Sequence, residues 1–174
     1  PFFTYCSQQQ GEPILYVAYY TGALRFDRNW AEYVIGFRDN QSGAEDFWIG
    51  LSNLRYLTFD QGLHDFTIRV TLSTTTDQSS FAILYQNFTV GNATSKYNYR
   101  YSNWVATKNG PLSSVSELKN CLTAGPDGRG FSTPDADNDA DNHPDSCPGM
   151  TRSGWWFYLC ERNLDWCNPF GRML

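Results

Sequence analysis

The densest chemistry in the chain lies in the run Phe131-Ser-Thr-Pro-Asp-Ala-Asp-Asn-Asp-Ala-Asp-Asn-His143. Asp135, Asp137, Asp139 and Asp141 alternate along it, and Asp145 stands just beyond. Carboxylates crowded in this way repel one another unless a cation neutralises them, and hard oxygen donors separated by small residues suit calcium. Alternate side chains converge when the backbone coils round an ion, with carbonyl oxygens filling the other positions. The spacing is not that of an EF-hand. Counted from Asp135, the sixth position is Ala140 instead of glycine and the twelfth is Ser146 instead of glutamate. Counted from Asp137 they are Asn142 and Pro148, and no flanking helices are readable. A thrombospondin-type calcium repeat comes in tandem copies, whereas one copy occurs here. The expectation is a calcium loop of another kind, held by Ca2+-binding oxygens and fixed by what flanks it.

The flanks are Phe131 on one side and Cys147 with an aromatic run on the other. Cys147 and Cys160 bracket a short segment, while Cys6, Cys121 and Cys167 sit elsewhere. Five cysteines cannot all pair internally, so a free thiol, or a partner on another chain or on sequence outside these residues, is expected. Sequons at Asn40, Asn87 and Asn92 occupy polar, turn-like surroundings suited to glycosylation. Together these features predict a secreted, oxidised glycoprotein. His64 and His143 share no HExxH or CxxC pattern, so zinc is not expected.

Composition narrows the class. With 174 residues, 41% hydrophobic and 17% aromatic, the sequence is able to fill one core and is not globally disordered. A formal net charge of −5 argues against attraction to nucleic acid. No apolar run approaches the ~20 residues of a membrane span. No charged-then-apolar leader opens the sequence, so any signal peptide is expected upstream or already removed.

The positioning elements are short. Apolar runs in the first 25 residues, broken by Gly11, Pro13 and Gly22, predict short strands and turns. Phe26, Trp30, Tyr33 and Phe37 follow intervals of four, three and four, the pattern of one buried helix face. Asp46 to Leu51 predicts a buried strand or turn, and Asn53 to Leu57 a short amphipathic piece. Phe66, Ile68, Val70 and Leu72 alternate as a half-buried strand, with Phe81 to Tyr85 as its hairpin neighbour across Thr74 to Ser80. Lys96 to Tyr101 alternates tyrosines with polar residues as a further strand. From about Asn103 to Met150 regular patterning disappears, and so long an irregular stretch in a compact domain is expected to be functional or held by a metal or disulfide.

These residues, in this order, resemble the fibrinogen C-terminal domain. Phe26, Arg28, Trp30, Tyr33, Gly36 and Phe37 are followed by Phe47-Trp48-Ile49-Gly50 and Leu57-Thr58. Phe131 to Asp139, a cysteine, Gly154-Trp155-Trp156, Cys160 and Asn163-Leu164 then resemble the family's calcium loop and the disulfide segment behind it. The match runs in order from Tyr5-Cys6 to Leu164, and one fibrinogen-like domain over 1–174 is expected. The resemblance implies an α+β fold with an antiparallel sheet, short helices and a long irregular calcium- and ligand-binding region. It implies side-chain calcium ligands at Asp137 and Asp139 and carbonyl ligands near Asp141 and His143, with Asp135 outside the direct contacts or reaching the ion through water. It also implies the Cys147–Cys160 disulfide, closure of which contributes roughly 3 kcal/mol in a loop-entropy treatment.

Departures from the family pattern bear on the ligand. Glu161 stands where many family lectins have histidine, and a carboxylate there favours a cationic or hydroxyl-rich ligand over an anionic one. Thr151 stands where an aromatic or acidic residue commonly helps the pocket. The spacer from Asp139 to Cys147 is longer than usual, and after Asn163-Leu164 the sequence reads Asp165-Trp166-Cys167 in place of the family's usual continuation. The family segment holding the usual partner of the cysteine matching Cys6 is absent, which leaves Cys6 to pair with Cys121, Cys167 or another chain. The expected pocket comprises Thr151, Trp155, Tyr158, Cys160, Glu161 and Arg162, with Trp155 and Tyr158 as faces for sugar rings or, alternatively, as packing.

The resulting expectation is a secreted calcium-dependent recognition module, lectin-like towards carbohydrate or acetylated groups, in innate defence or adhesion. The alternative is a structural or assembly subunit of an extracellular complex that binds protein partners through the same face, as an oligomer linked through unmatched cysteines. A hydrolase is not expected. Glu161 and the aspartates could be drawn as a carboxylate pair, but no nucleophile and base are readable, and Glu161 beside Arg162 reads as an ion pair or solvated residue.

Overall fold

A computed structural model of the protein describes residues 4–9, 12–39, 45–61, 66–73, 80–109, 122, 128–140, 146–158 and 169–170. Its first elements are the hairpin β1 (Cys6–Gln9) and β2 (Glu12–Leu15), in register from Cys6 opposite Leu15 to Gln9 opposite Glu12. β3 (Ala18–Tyr19) follows, then helix α1 (Trp30–Ile35), β4 (Phe37–Arg38) and β5 (Phe47–Trp48). These three strands make an antiparallel sheet in the order β3-β5-β4.

α1 is six residues long, not the longer helix that the Phe26 to Phe37 spacing predicts. Its start is set by a capping box: the Asn29 side chain accepts from the Glu32 amide at 2.9 Å, and the Glu32 carboxylate accepts from the Asn29 amide at 3.0 Å. Its end is set by Gly36, at φ +93°, where a Cβ would stand 2.6 Å from the Ile49 carbonyl oxygen. Three of the four aromatics still converge, while the part-buried Trp30 packs against Tyr97 at 5.9 Å. Phe26 and Tyr33 are buried, and the Phe37 ring lies 4.9 Å from Phe26 and 5.1 Å from Tyr33. Spacing reported which residues face inward, and the caps decided how many are helical.

After Gly50 the backbone enters α2 (Leu51–Arg55) and a π-helical turn at Tyr56–Asp60. The carboxylate of Asp46, just before β5, is 1% exposed and accepts four hydrogen bonds: from the amide and hydroxyl of Thr21, both at 2.8 Å, from Ala23 at 3.1 Å and from Leu24 at 3.0 Å. It thereby fixes the 21–24 turn against the sheet, since a buried charge is tolerated only when its lone pairs are satisfied.

The alternating segment forms β6 (Ile68–Ser73), paired antiparallel with β7 (Ser80–Gln86) as expected. Residues 74–79 between them lie outside the described set. β8 (Thr89–Val90) pairs with β9 (Tyr99–Arg100), which corrects the longer strand expected over Lys96 to Tyr101. Lys96 and Tyr97 take left-handed backbone angles of φ +55° and +50°, and a strand cannot pass through them. The alternation of Tyr97, Tyr99 and Tyr101 still reports burial, as all three face the core.

The irregular stretch expected from Asn103 opens with a strand. β10 (Asn103–Asn109) pairs with β7 along seven residues and gives the order β10-β7-β6. Its two large apolar residues, Trp104 and Val105, are adjacent and exposed, so the strand shows no period-two pattern. α3 (Cys147–Thr151) is a further unforeseen element, capped by the Ser146 side chain with proline in its first turn. The fold is α+β with antiparallel strands and short helices, joined by an aromatic core in which Trp48, Phe131 and Trp156 meet at 4.9 to 6.4 Å. The buried indole N–H groups are satisfied: Trp48 donates to the Tyr33 carbonyl at 2.8 Å and Trp156 to that of Tyr97 at 2.7 Å.

Candidate functional site

The acidic segment is held from below before any of its carboxylates is considered. Phe131 is fully buried, and its amide donates to the Lys96 carbonyl at 2.8 Å. Ser132 and Trp155 exchange two backbone hydrogen bonds, at 2.9 and 3.1 Å, which lashes the loop to the downstream aromatic limb. Thr133 and Ala136 exchange two more at 3.0 Å and close a tight turn. Asn138 folds back inside the loop: its amide donates to the Ser132 hydroxyl at 2.9 Å and its side chain to the Phe131 carbonyl at 2.8 Å. Ser132 and Asn138 are thus organising residues that the charge pattern alone did not single out.

The carboxylates then divide by role. Oδ1 of Asp135 accepts from the Trp30 amide and from the Thr133 hydroxyl, each at 2.8 Å. Oδ1 of Asp137 accepts from the Asp139 amide at 3.1 Å, and its side chain is exposed. Oδ2 of Asp139 accepts from the Cys147 amide, the first of α3, at 3.2 Å. The Ala140 amide donates to the Tyr158 carbonyl at 2.9 Å. Cys147 is buried and disulfide-bonded, with its partner outside the described residues. Cys6 is a free, exposed thiol.

The downstream limb is a wall more than a platform. Trp155, a candidate stacking face, is only 6% exposed and packs against Trp156 at 5.2 Å and Phe170 at 5.7 Å, so it supports the surface from within. Tyr158 is half-buried, with the Arg129 guanidinium 5.6 Å above its ring. The Thr151 hydroxyl donates to the Cys147 carbonyl at 2.9 Å, at the end of α3. Asp141, His143, Cys160, Glu161, Arg162 and Asn40 lie outside the described residues. Asn87 and Asn92 are exposed at turns, Asn87 at φ +52° and Asn92 capping a 3-10 turn.

Tyr33 joins the two limbs. Its hydroxyl donates to the Phe26 carbonyl and accepts from the Gly154 amide, both at 2.8 Å, and its ring lies 5.2 Å from Phe131. A Cβ on Gly154 would stand 2.6 Å from the Phe131 ring and 2.8 Å from that of Tyr33. Burial pushes the Tyr33 phenol far above the ordinary tyrosine value, with the Gly154 hydrogen bond a smaller opposing effect. The unfolded protein releases this proton near pH 10 while the folded protein retains it. Tyr33 therefore stabilises the fold below about pH 10, and that stability declines by about 1.4 kcal/mol per pH unit above it. Urea midpoints measured between pH 8 and 11.5 should fall above pH 10, and Tyr33→Phe should flatten the fall; an unchanged slope in the variant would contradict this.

Among the described residues, no three histidine, cysteine or carboxylate side chains gather into a metal-holding group. The donor chemistry nevertheless fits a hard cation in part. Asp137 and Asp139 are carboxylates at alternate positions of a loop pinned at both ends, and calcium takes six to eight such oxygens. The positions expected to supply the rest, Asp141 and His143, lie outside the described residues.

Short antiparallel sheets with few short helices are the architecture of a fibrinogen-like domain. The family described as the C-terminal globular domain of the fibrinogen beta and gamma chains matches residues 1–172, and the protein belongs to it. It is 34% identical over 140 residues to mouse fibrinogen-like protein 1, covering 80% of this chain and 43% of that protein. It therefore spans less than half the length of that relative. The fibrinogen-like globe of human ANGPTL6 superposes with a TM-score of 0.70 at 21% identity, covering 91% of this chain and 68% of that one. Lamprey fibrin D-dimer, solved with the peptide Gly-His-Arg-Pro-amide, gives 0.69 at 23% identity, covering 89% and 48%. Members of the family are non-enzymatic binding or structural proteins and mostly extracellular. No helix among the described residues is long and apolar enough to cross a membrane.

Proposed function

We propose that this protein is a secreted, calcium-dependent recognition module, lectin-like towards carbohydrate or acetylated ligands, acting in innate defence or adhesion. The observation that carries the reading is the lashing of the acidic loop to the aromatic limb. Ser132 is bonded to Trp155, Asp139 to the start of α3 and Ala140 to Tyr158, so an ion held by the loop shapes the surface next to it. Calcium acts structurally: Asp137 and Asp139 bind it, carbonyls near Asp141 and His143 complete its shell, and the Cys147–Cys160 disulfide keeps α3 against the loop. The ligand sits over Thr151, Tyr158, Glu161 and Arg162, and Glu161 turns preference towards hydroxyl-rich or cationic groups. Asn40, Asn87 and Asn92 carry glycans.

A protein-binding role is the second reading, favoured by the exposed free thiol of Cys6, which suits a covalent link to another polypeptide. The lamprey relative's complex with a tetrapeptide also supports a peptide-binding face. A glycan and acetyl-ligand array probed with the purified protein separates the two. Binding that disappears with EDTA is expected; silence on the array, with a disulfide-linked multimer on non-reducing gels, would favour the assembly role.

A further inference from the structure

The pairing of β4 with β5 carries two carboxylates to one end of their sheet. Phe37 stands opposite Trp48 and Arg38 opposite Phe47, and the Asp39 amide donates to the Asp46 carbonyl at 3.0 Å, so Asp39 and Glu45 flank the same strand end. Beside them a cavity of about 270 Å³ opens between the chain at Thr4 and Tyr5, the strands, the end of α1 and the first turn of α2. Its apolar walls are Tyr5, Ile35, Phe37 and Phe47. The Tyr5 ring rests 5.4 Å from that of Phe47, and Ile35 is 71% exposed. The charged lining is acidic on balance, with Asp39 and Glu45 against Arg38. Asp46 also reaches the lining, but its oxygens are taken by the 21–24 turn. Glu45 is exposed and makes no ion pair among the described residues. Asn53 donates through Nδ2 to the Ile49 carbonyl at 2.7 Å, which leaves its Oδ1 as an acceptor without a partner among the described residues. The cavity is separate from the acidic loop: the loop meets α1 at its first residue, Trp30, and the cavity lies at its last, Ile35.

We propose that this cavity is a second binding site, for an organic cation: an ammonium or guanidinium on a short aliphatic stem, carried by a basic peptide or by a free amine. Aromatic and aliphatic walls suit the stem, and a cation gains from the face of a ring such as that of Tyr5. The head meets Glu45 and Asp39, and Asn53 Oδ1 is an acceptor for one of its N–H groups. An anion would face two carboxylates and is disfavoured. Size sets the rest of the choice. Drug-sized ligands occupy roughly 300–1,000 Å³, so a cavity of about 270 Å³ takes one side chain or a small amine and not an oligosaccharide.

Amide NMR of the isotope-labelled full chain in calcium-containing buffer tests this. The probes are agmatine, an acetylated and amidated Gly-Arg-Gly peptide, and the same peptide with uncharged citrulline in place of arginine. Both cations should shift the Ile35, Glu45 and Asn53 amides saturably, and the citrulline peptide should bind several-fold more weakly. Tighter binding of the peptide would identify a basic segment as the source of the cation, and tighter binding of agmatine a free amine; either sustains the proposal. Glu45→Gln should weaken agmatine binding about two- to fivefold, the scale of one exposed ion pair, and Arg38→Gln should strengthen it by a similar factor. Glu45→Lys should weaken it further. Both side chains are exposed, so these variants are expected to fold as the parent does. Equal binding of the citrulline peptide, unchanged affinity in Glu45→Lys, or no shift at the three amides would overturn the proposal and leave the calcium reading standing. Shifts confined to Thr151 and Tyr158 would overturn it too, because the cation would then sit on the acidic-loop face.

Discussion

Gly36→Ala is expected to leave the protein at the edge of unfolding. Gly36 sits at φ +93° and ψ 159°, a region open essentially to glycine alone, and entry by alanine costs about 1–3 kcal/mol. Space is the second obstacle. A Cβ would stand 2.6 Å from the Ile49 carbonyl oxygen and 2.8 Å from that of Trp48, which are backbone atoms of a buried strand end and cannot swing aside. Gly50 meets the same segment from the other side, with its Cβ position 2.7 Å from the Ile35 carbonyl carbon. Forced overpacking adds about 1–3 kcal/mol, and the sum is a large share of the roughly 5–15 kcal/mol that holds a typical domain together. Gly22 is the internal control, with φ also +93° but nothing within 4 Å of its Cβ position. Gly22→Ala should therefore show the backbone strain alone. In thermal denaturation Gly36→Ala should melt far below Gly22→Ala; equal melting temperatures would show that the backbone approach at Ile49 is not real.

Saturating calcium is expected to raise the melting temperature by about 8–16 °C. A ligand bound only by the folded state at about 1,000 times its Kd adds about 4 kcal/mol, and a domain of this length gains about 2–4 °C per kcal/mol. The ion should act on the loop and through it on α3, because Asp139 is bonded to the Cys147 amide. Asp137→Asn should abolish the shift and barely change the calcium-free melting point, since an asparagine oxygen can still accept from the Asp139 amide. A calcium-independent melting temperature in the parent protein would count against an ion in the loop.

The sequence made legible those features that repeat a side-chain pattern. The inward faces of 26–37, the β6–β7 hairpin and the anchoring of the acidic segment by Phe131 and the Trp155-Trp156 pair all follow from periodicity or aromatic density. What stayed hidden was decided by backbone. The length of α1 depends on the Asn29 and Glu32 caps and on a glycine that touches a carbonyl. β10 carries exposed apolar residues and is fixed by its pairing with β7, which no local pattern encodes. The Tyr33 hydroxyl is hidden behind a ring that reads as core, and its bond to Gly154 spans 121 residues. One further element, α3, was within reach: Ser146 followed by Cys147-Pro148 is a helix-start signal.

Calorimetric titration of calcium into the oxidised, EDTA-stripped protein tests the central claim most directly. One saturable site, lost in Asp137→Asn and accompanied by ordering of the Cys147 amide, is the expected result. A featureless titration from a folded protein would mean that the aspartates serve only as solvated helix anchors, and that recognition by this domain does not run through calcium.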